Sequence, residues 1–190
     1  MSRGQTGSGR RLGGVRVLGG RWRGRRLTVP AGIRPTQARV REALFSHWGD
    51  RVRGSRLLEL YAGSAAVSFE ALSRGAGFAL AIDRSSRAQV CMKASRDALG
   101  TDDLRLVRTV LPGGFGKVVE REAGFDLVFI DPPYDDAGVG ELLGAVSTVV
   151  ADGGEIVLEH SSRHPPPAPA GRLRLRQTRR YGDSALTVFF

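Results

Sequence analysis

The chain has 190 residues, of which 41% are hydrophobic and one is cysteine, and its formal net charge is +10. This length suffices for one ordinary core and leaves little room for a second domain, and no apolar run reaches the roughly 18 residues of a membrane span. A single cysteine excludes an intramolecular disulfide and a cysteine-rich zinc site; with no apolar signal segment at the N-terminus, we expect a cytoplasmic protein.

The positive charge is concentrated in the first part of the chain. Eleven arginines and no acidic residue precede Glu42. Clustered guanidiniums bind phosphates bidentately and release counterions from a polyanion, so this block predicts a nucleic-acid partner. The alternative is that a GC-rich genome has inflated the arginine content and that the block only keeps the protein soluble.

An extension is predicted ahead of the main domain. A flexible basic tail is expected over residues 1–14, which are rich in glycine, serine and arginine. A hairpin and a helix are expected over residues 15–50. Two short alternating runs around glycines, with Trp22 as anchor, indicate the hairpin. In the helix, apolar residues recur every four positions from Val40, and Thr36 is the expected N-cap.

The main domain, residues 51–190, alternates apolar strands with helical stretches. Strands are predicted at 56–62, 77–83, 104–110, 125–131 and 153–160, and helices at 63–75, 85–100 and 137–150. A proline-rich linker and a closing antiparallel hairpin, joined through Gly182 and Asp183, end the chain. Alternating strands and helices predict an α/β fold with a doubly wound, mostly parallel sheet, whose ligands bind at the carboxyl ends of the strands.

The first chemical signature lies at Gly63, where a predicted strand turns into a helix. At such a turn, backbone N–H groups and a helix N-terminus meet a ligand. Asp83 ends the next strand, which is the usual place for a carboxylate that holds ribose hydroxyls. This pair alone is weak, because it lacks the three spaced glycines of the dinucleotide fingerprint.

The second signature is the sequence Asp131-Pro132-Pro133-Tyr134 at the end of the fourth predicted strand. An exocyclic amine of a nucleobase is a poor nucleophile because its lone pair is delocalised into the ring. Asp131 can accept one of its N–H groups and a carbonyl at Pro132 the other, while Tyr134 offers a face on which a flipped base stacks. The sequence resembles the motif of S-adenosylmethionine-dependent amino-methyltransferases. An ordinary proline-rich turn is the alternative.

From about Val15 to Phe190 the chain resembles one family. The segments RVLGGRWRGRRL, RPTQARVREALF, ELYAGSAAVSFEALSRGA, FDLVFIDPPY, IVLEH and YGDSALTVFF are similar, in order and spacing, to the bacterial small-subunit rRNA guanine-N2 methyltransferases of the RsmD type. The resemblance implies a Rossmann-like class I methyltransferase fold. It also implies methyl transfer from S-adenosylmethionine to N2 of one guanine of 16S rRNA, preferably in the partly or fully assembled small subunit.

The resemblance further implies roles for individual residues. The residues implied on the cofactor side are Arg34, Pro35, Thr36, Glu59, Tyr61, Ala62, Gly63, Ser64, Asp83, Arg84, Thr109 and Val110. Those implied at the guanine are Asp131, Pro132, Pro133 and Tyr134. The expected RNA contacts are Arg21, Arg23, Arg25, Arg26, Arg39 and Arg41, the last two with a solvated helix face as the alternative.

The chain departs from the family pattern at three positions. Ala65 and Ser68 replace two glycines of the glycine-rich turn. Val110 stands where the family usually presents an aspartate or asparagine toward the adenine amino group, so that contact is expected from the backbone or from Thr109.

Three functional questions remain open at this level. Glu159 lies near the expected site, with a role in positioning substrate or in capping structure. A DNA amino-methyltransferase would share the chemistry of Asp131 but usually carries a separate target-recognition domain, for which this chain has no room. A non-catalytic RNA-binding protein would need the arginines but not Asp83. The three histidines have no metal-ligand spacing, so we expect no metal, and we expect a monomer.

Overall fold

Seven strands form one sheet in the computed structural model, which describes residues 14–30, 37–120, 122, 124–169 and 171–190. The strands are β1 (Arg56–Leu60), β2 (Phe78–Asp83), β3 (Leu104–Arg108), β4 (Phe125–Ile130), β5 (Val150–Ser161), β6 (Leu175–Tyr181) and β7 (Ser184–Phe189). The helices are α1 (Ala38–Trp48), α2 (Ala66–Ser73), α3 (Ser86–Leu99), α4 (Phe115–Val119) and α5 (Val139–Val146). The expectations for the tail over 1–13 and for Arg34, Pro35 and Thr36 lie outside the described residues.

The order of the strands confirms the predicted doubly wound sheet. They run β3-β2-β1-β4-β5-β7-β6. The first five are parallel, and β7 lies antiparallel between β5 and β6. The chain reverses its direction of winding between β1 and β4, and in open α/β sheets the crevice at that switch point, outside the carboxyl ends of the strands, binds ligands.

Each face of the sheet has its own buried apolar cluster. Side chains alternate between the faces of a strand, so Leu57 and Leu127 pack on the side of α1, α2 and α3, whereas Leu58 and Val128 pack on the side of α4 and α5. Because both faces are covered, the central strands are continuously apolar. The short helix α4 was not predicted, since five residues are too few to show a helical period.

The N-terminal extension is part of the core on the α2 side of the sheet. Val17, Trp22 and Leu27 are buried in the same cluster as Phe69 of α2, and the backbone N–H of Trp22 donates to Ser73 Oγ at 2.9 Å. Residues of the extension and of the main domain therefore share one buried apolar cluster.

Within the extension, the local structure differs from the prediction in two details. The hairpin has one antiparallel bridge, between Arg16 and Arg26, instead of two strands. Its glycine-rich tip is a 3-10 turn over Gly20–Trp22. Helix α1 has Gln37 at its N-cap, and the Gln37 side chain makes no capping hydrogen bond.

Trp22→Ala is expected to lower the free energy of unfolding by about 3 kcal/mol or more, because a buried indole leaves a cavity when it is removed. Denaturant unfolding measures the change. Val90→Ala is the matched control, since Val90 is 69% exposed on α3, and it should alter stability by less than about 0.5 kcal/mol. Equal stabilities of the two variants would contradict the packing of the extension into the core.

Candidate active site

A cavity of about 540 Å³ opens at the carboxyl ends of β1, β2, β4 and β5. The predicted site residues that line it are Tyr61, Ala62, Gly63, Ser64, Asp83, Arg84, Thr109, Val110, Asp131, Pro132, Pro133 and Tyr134. Five further lining residues were not predicted: Gln37, Ser85, Leu111, Asp136 and Ser184. Of these, only Asp136 had a signal in the sequence, as the second acid after the Asp131 motif.

The turn between β1 and α2 is made of left-handed backbone. Tyr61, Gly63 and Ala65 have φ angles of 58°, 55° and 54°. This region is easy for glycine and costs other L-residues roughly 1–2 kcal/mol. Ala65 therefore adopts, at a cost, the conformation that a glycine would adopt freely at this family position.

Asp83 joins this turn to the end of β2. Its Oδ2 accepts the backbone N–H of Gly63 at 2.8 Å, and its Oδ1 accepts that of Ser85 at 2.8 Å. The N–H of Gly63 is thus already engaged within the protein. An ionised carboxylate has about four acceptor sites, so the Asp83 carboxylate can still accept from hydroxyl groups of a ligand in the cavity.

Glu59 does not line the cavity, contrary to the prediction. It is 3% exposed. Its Oε2 accepts Ser68 N at 2.7 Å and Ser68 Oγ, and its Oε1 accepts Val67 N at 3.3 Å. The side chain therefore caps the first turn of α2, and Ser68, where the family has a glycine, supplies a hydroxyl for it. Burial raises the pKa of the Glu59 carboxyl to about 7.

The raised pKa of Glu59 predicts a pH-dependent stability. The folded protein holds this proton more tightly than the unfolded chain, whose pKa is near 4.5. The contribution is therefore complete below about pH 4.5 and is lost as the pH rises through about 7, by up to about 3 kcal/mol. Urea unfolding across this range should show that Glu59→Gln removes the decline. Parallel curves for the variant and the original chain would contradict it.

The loop after β4 presents the Asp131 motif to the cavity. Asp131 follows the last residue of the strand, and its backbone N–H donates to Leu60 O at 3.4 Å. Pro132 is buried, whereas Tyr134 is 63% exposed. An exposed ring beside a cavity is available for stacking.

Asp136 fastens this loop to the turn after β1. Its Oδ2 accepts the hydroxyl of Tyr61 at 2.8 Å, and its Oδ1 accepts the N–H of Gly138 at 2.8 Å. Burial, together with this hydrogen bond to Asp136, raises the pKa of the Tyr61 hydroxyl. A hydrogen bond between side chains therefore links the loop of the Asp131 motif to the turn after β1, in addition to the backbone hydrogen bond between Asp131 and Leu60.

The end of β3 forms an apolar wall of the cavity. Val110 is 62% exposed and lines the cavity beside Leu111. The backbone N–H of Thr109 donates to Asp83 O at 3.3 Å. This side of the cavity therefore offers apolar surface where the family pattern has a polar side chain.

Arg41 is not a nucleic-acid contact, contrary to the prediction. It is 2% exposed. Its Nη1 donates to Arg16 O at 3.0 Å and lies 3.9 Å from a carboxylate oxygen of Glu70. Burial lowers the pKa of its guanidinium. Arg41 belongs to the buried seam between the extension and α2.

The hairpin arginines lie at the edge of the sheet opposite to the cavity. Helix α2 starts at the carboxyl edge and ends at Ser73, which contacts the hairpin tip. Arg21 lies 3.7 Å from Asp103, which precedes β3, and Arg25 donates to Ala98 O near the end of α3. The exposed arginines among the predicted contacts also include Arg23, Arg26 and Arg39. Arg39 is close to the cavity in sequence, two residues after Gln37.

Within the described part of the chain, no helix is long and apolar enough to cross a bilayer. Among the same residues, no group of three or more histidine, cysteine, aspartate or glutamate side chains could hold a metal ion.

The chain is similar to known proteins over most of its length. A family model described as conserved hypothetical protein 95 matches residues 15–190. YlbH of Bacillus subtilis, named as a candidate rRNA methyltransferase, is 31% identical over 92% of this chain and 98% of its own length. Ribosomal RNA small subunit methyltransferase D of Escherichia coli is 34% identical over 64% of this chain and 61% of its own length. The solved structure of yhhF from Escherichia coli superposes with a TM-score of 0.82 at 28% identity, covering 93% of this chain and 97% of that chain.

Proposed function

The chain belongs to the conserved hypothetical protein 95 family, that of the RsmD-type rRNA methyltransferases, and from this premise we propose that it methylates the exocyclic N2 of one guanine in 16S rRNA. The methyl donor is S-adenosylmethionine. The observation that carries the proposal is the meeting of two strand ends in one cavity: the Asp83 carboxylate tied to Gly63 on one side and the Asp131 motif on the other.

The residues present fit this cofactor. A volume of about 540 Å³ is within the range of small-molecule sites, about 300–1,000 Å³. Asp83 would accept from the ribose hydroxyls, and the apolar wall at Val110 and Leu111 would face the adenine. When bound, the cofactor supplies an electrophilic methyl group. Residues 61–64 also line the cavity. They would hold the methionine portion of the cofactor.

The Asp131 motif would hold the amine that accepts the methyl group. Asp131 accepts one N–H of the guanine amine, and the carbonyl of Pro132 accepts the other, which turns the nitrogen lone pair toward the methyl group. Tyr134 stacks on the base after the base has flipped out of the RNA stack into the cavity. As the new N–C bond forms, the bond between the methyl group and the cofactor's sulfur would break and leave the demethylated cofactor, and the proton lost from the amine would pass to Asp131 or to water.

The function is tested with methyl-labelled cofactor and three acceptors: free 16S rRNA, small subunits from cells lacking the modification, and duplex DNA. We expect label in the small subunits, less in free rRNA and none in DNA. Label in DNA would favour the amino-methyltransferases of DNA, which share the chemistry of the motif. Cofactor binding without transfer to any acceptor would favour a non-catalytic RNA-binding protein.

Arg39→Glu is expected to raise the KM for small subunits. It should also weaken the salt dependence of their binding by roughly one phosphate contact, so that the slope of log affinity against log salt becomes less negative by about 0.7–0.9. The reason is that Arg39 is exposed on the first turn of α1, beside the lining residue Gln37. Arg23→Glu, at the opposite edge of the sheet, is the matched charge reversal and should have a smaller effect. Equal effects would place the RNA elsewhere.

A further inference from the structure

A second carboxylate, Glu159, stands beside Asp131 in the cavity. In the register of β4 and β5, Ile130 pairs with Leu158, so Asp131 and Glu159 are the next residues of adjacent parallel strands. Because side chains alternate along a strand, both face the same side of the sheet. Both line the cavity.

One oxygen of Glu159 is buried without a hydrogen-bond partner. The residue is 5% exposed, and its Oε2 has no partner among the residues that the structure describes. Leaving a buried polar group without a hydrogen-bond partner is unfavourable, and more so if the group is charged. Burial raises the pKa of the Glu159 carboxyl, while a side-chain hydrogen bond with Ser184 lowers it. A ligand N–H would likewise lower this pKa, because it favours the ionised form, which is the acceptor. A buried acceptor oxygen without a partner at the wall of a cavity indicates that a ligand supplies the hydrogen-bond donor.

The ring atoms next to the amine distinguish the bases that an amino-methyltransferase could take. In guanine, one of the two ring nitrogens beside the amine carries a hydrogen, N1–H, and the other, N3, is an acceptor. In adenine and cytosine, the ring nitrogen beside the amine is an acceptor with a lone pair. A carboxylate would attract the N1–H of guanine and repel the ring-nitrogen lone pairs of adenine and cytosine. Asp131 and the Pro132 carbonyl accept from the amine itself, so the N1–H of guanine still needs an acceptor.

We propose that Glu159 is the guanine-recognition residue of this site, and that its Oε2 accepts the N1–H of the target base. The proposal rests on the proposed function, since it takes the amine at Asp131 to be N2 of guanine. Glu159 selects the base that enters the cavity, and Asp131 holds the amine for transfer.

The test compares guanine with 2-aminopurine, which has the same 2-amino group but an acceptor instead of N1–H. The target guanine is first mapped with the original chain, and small subunits are then reconstituted with either base at that position. We expect the original chain to methylate guanine at least 100-fold faster, because a site built for a donor rejects the analogue that lacks it. In Glu159→Gln, the side-chain amide can donate to the ring nitrogen of 2-aminopurine. The rate ratio of 2-aminopurine to guanine should therefore rise at least tenfold.

Each result separates the possible roles. Equal losses on both bases in Glu159→Gln would make Glu159 a structural residue and overturn the proposal. Asp135→Asn, an exposed acid four residues after Asp131, is the control and should leave the ratio unchanged. Calorimetry should show unchanged cofactor affinity in both variants. If Glu159→Gln does not fold, equal methylation of the two bases by the original chain overturns the proposal. Label that never appears in guanine would instead contradict the proposed function.

Discussion

Asp131→Ala should reduce methyl transfer by at least 100-fold and leave the affinity for S-adenosylmethionine within about twofold. The expected loss is that of removing one group that stabilises charge developing in a transition state, about 10²–10³ in kcat. Asp131 lines the cavity at the end of β4, while the residues assigned to the cofactor lie at the carboxyl ends of β1, β2 and β3. Single-turnover rates and calorimetry measure the two quantities separately.

Two variants set the scale for Asp131. Asp131→Asn keeps one oxygen that accepts from the amine, so its rate should lie between those of the alanine variant and the original chain. Asp135→Ala removes a nearby acid that is exposed and should turn over normally. An Asp131→Ala protein that methylates at the original rate would remove Asp131 from the chemistry.

Asp83→Ala should weaken binding of S-adenosylmethionine by about 10- to 150-fold, which corresponds to the roughly 1.5–3 kcal/mol of a charge-assisted hydrogen bond. Two effects contribute in the same direction. The carboxylate would no longer accept from the ribose, and the backbone N–H groups of Gly63 and Ser85 would lose their acceptor. Calorimetric titration with the cofactor and with its demethylated product measures the change.

Asp102→Ala is the matched control for Asp83. Asp102 is an exposed acid ahead of β3, at the edge of the sheet away from the cavity, and its loss should leave cofactor affinity unchanged. The kinetic pattern also differs between the two active-site acids. Loss of Asp83 should be offset largely by saturating cofactor, whereas loss of Asp131 should not. Unchanged affinity in Asp83→Ala would exclude that carboxylate from the site.

The sheet and most of the cavity were accessible from sequence because their signals are local. Apolar runs that end in Gly63, Asp83 and Asp131 mark three strand ends, and parallel strands bring their carboxyl ends to one edge. The loop after β4 was predicted from the same rule. The motif did not reveal the hydrogen bond that holds this loop, because Asp136 and Tyr61 are 75 positions apart in the chain.

The errors concern side chains whose partners are distant or lie across a layer. Glu59 is next to the glycine turn, but its position on β1 directs it toward α2 instead of the cavity. Arg41 is itself among the buried residues of α1. Its carboxylate partner, Glu70, is on another helix, α2. The packing of the extension against α2 had no signal in the sequence, because the contact of Trp22 with Ser73 spans 51 positions. No periodicity in one segment encodes such pairings.

Nucleoside analysis by mass spectrometry is the most direct measurement of the central claim. Small subunits lacking the modification are incubated with the protein and S-adenosylmethionine, and their rRNA is then digested to nucleosides. We expect N2-methylguanosine, approaching one per particle, with none formed by the Asp131→Ala variant. Methylation found instead on adenosine, cytidine or another atom of guanosine, or the same yield from the variant, would contradict it.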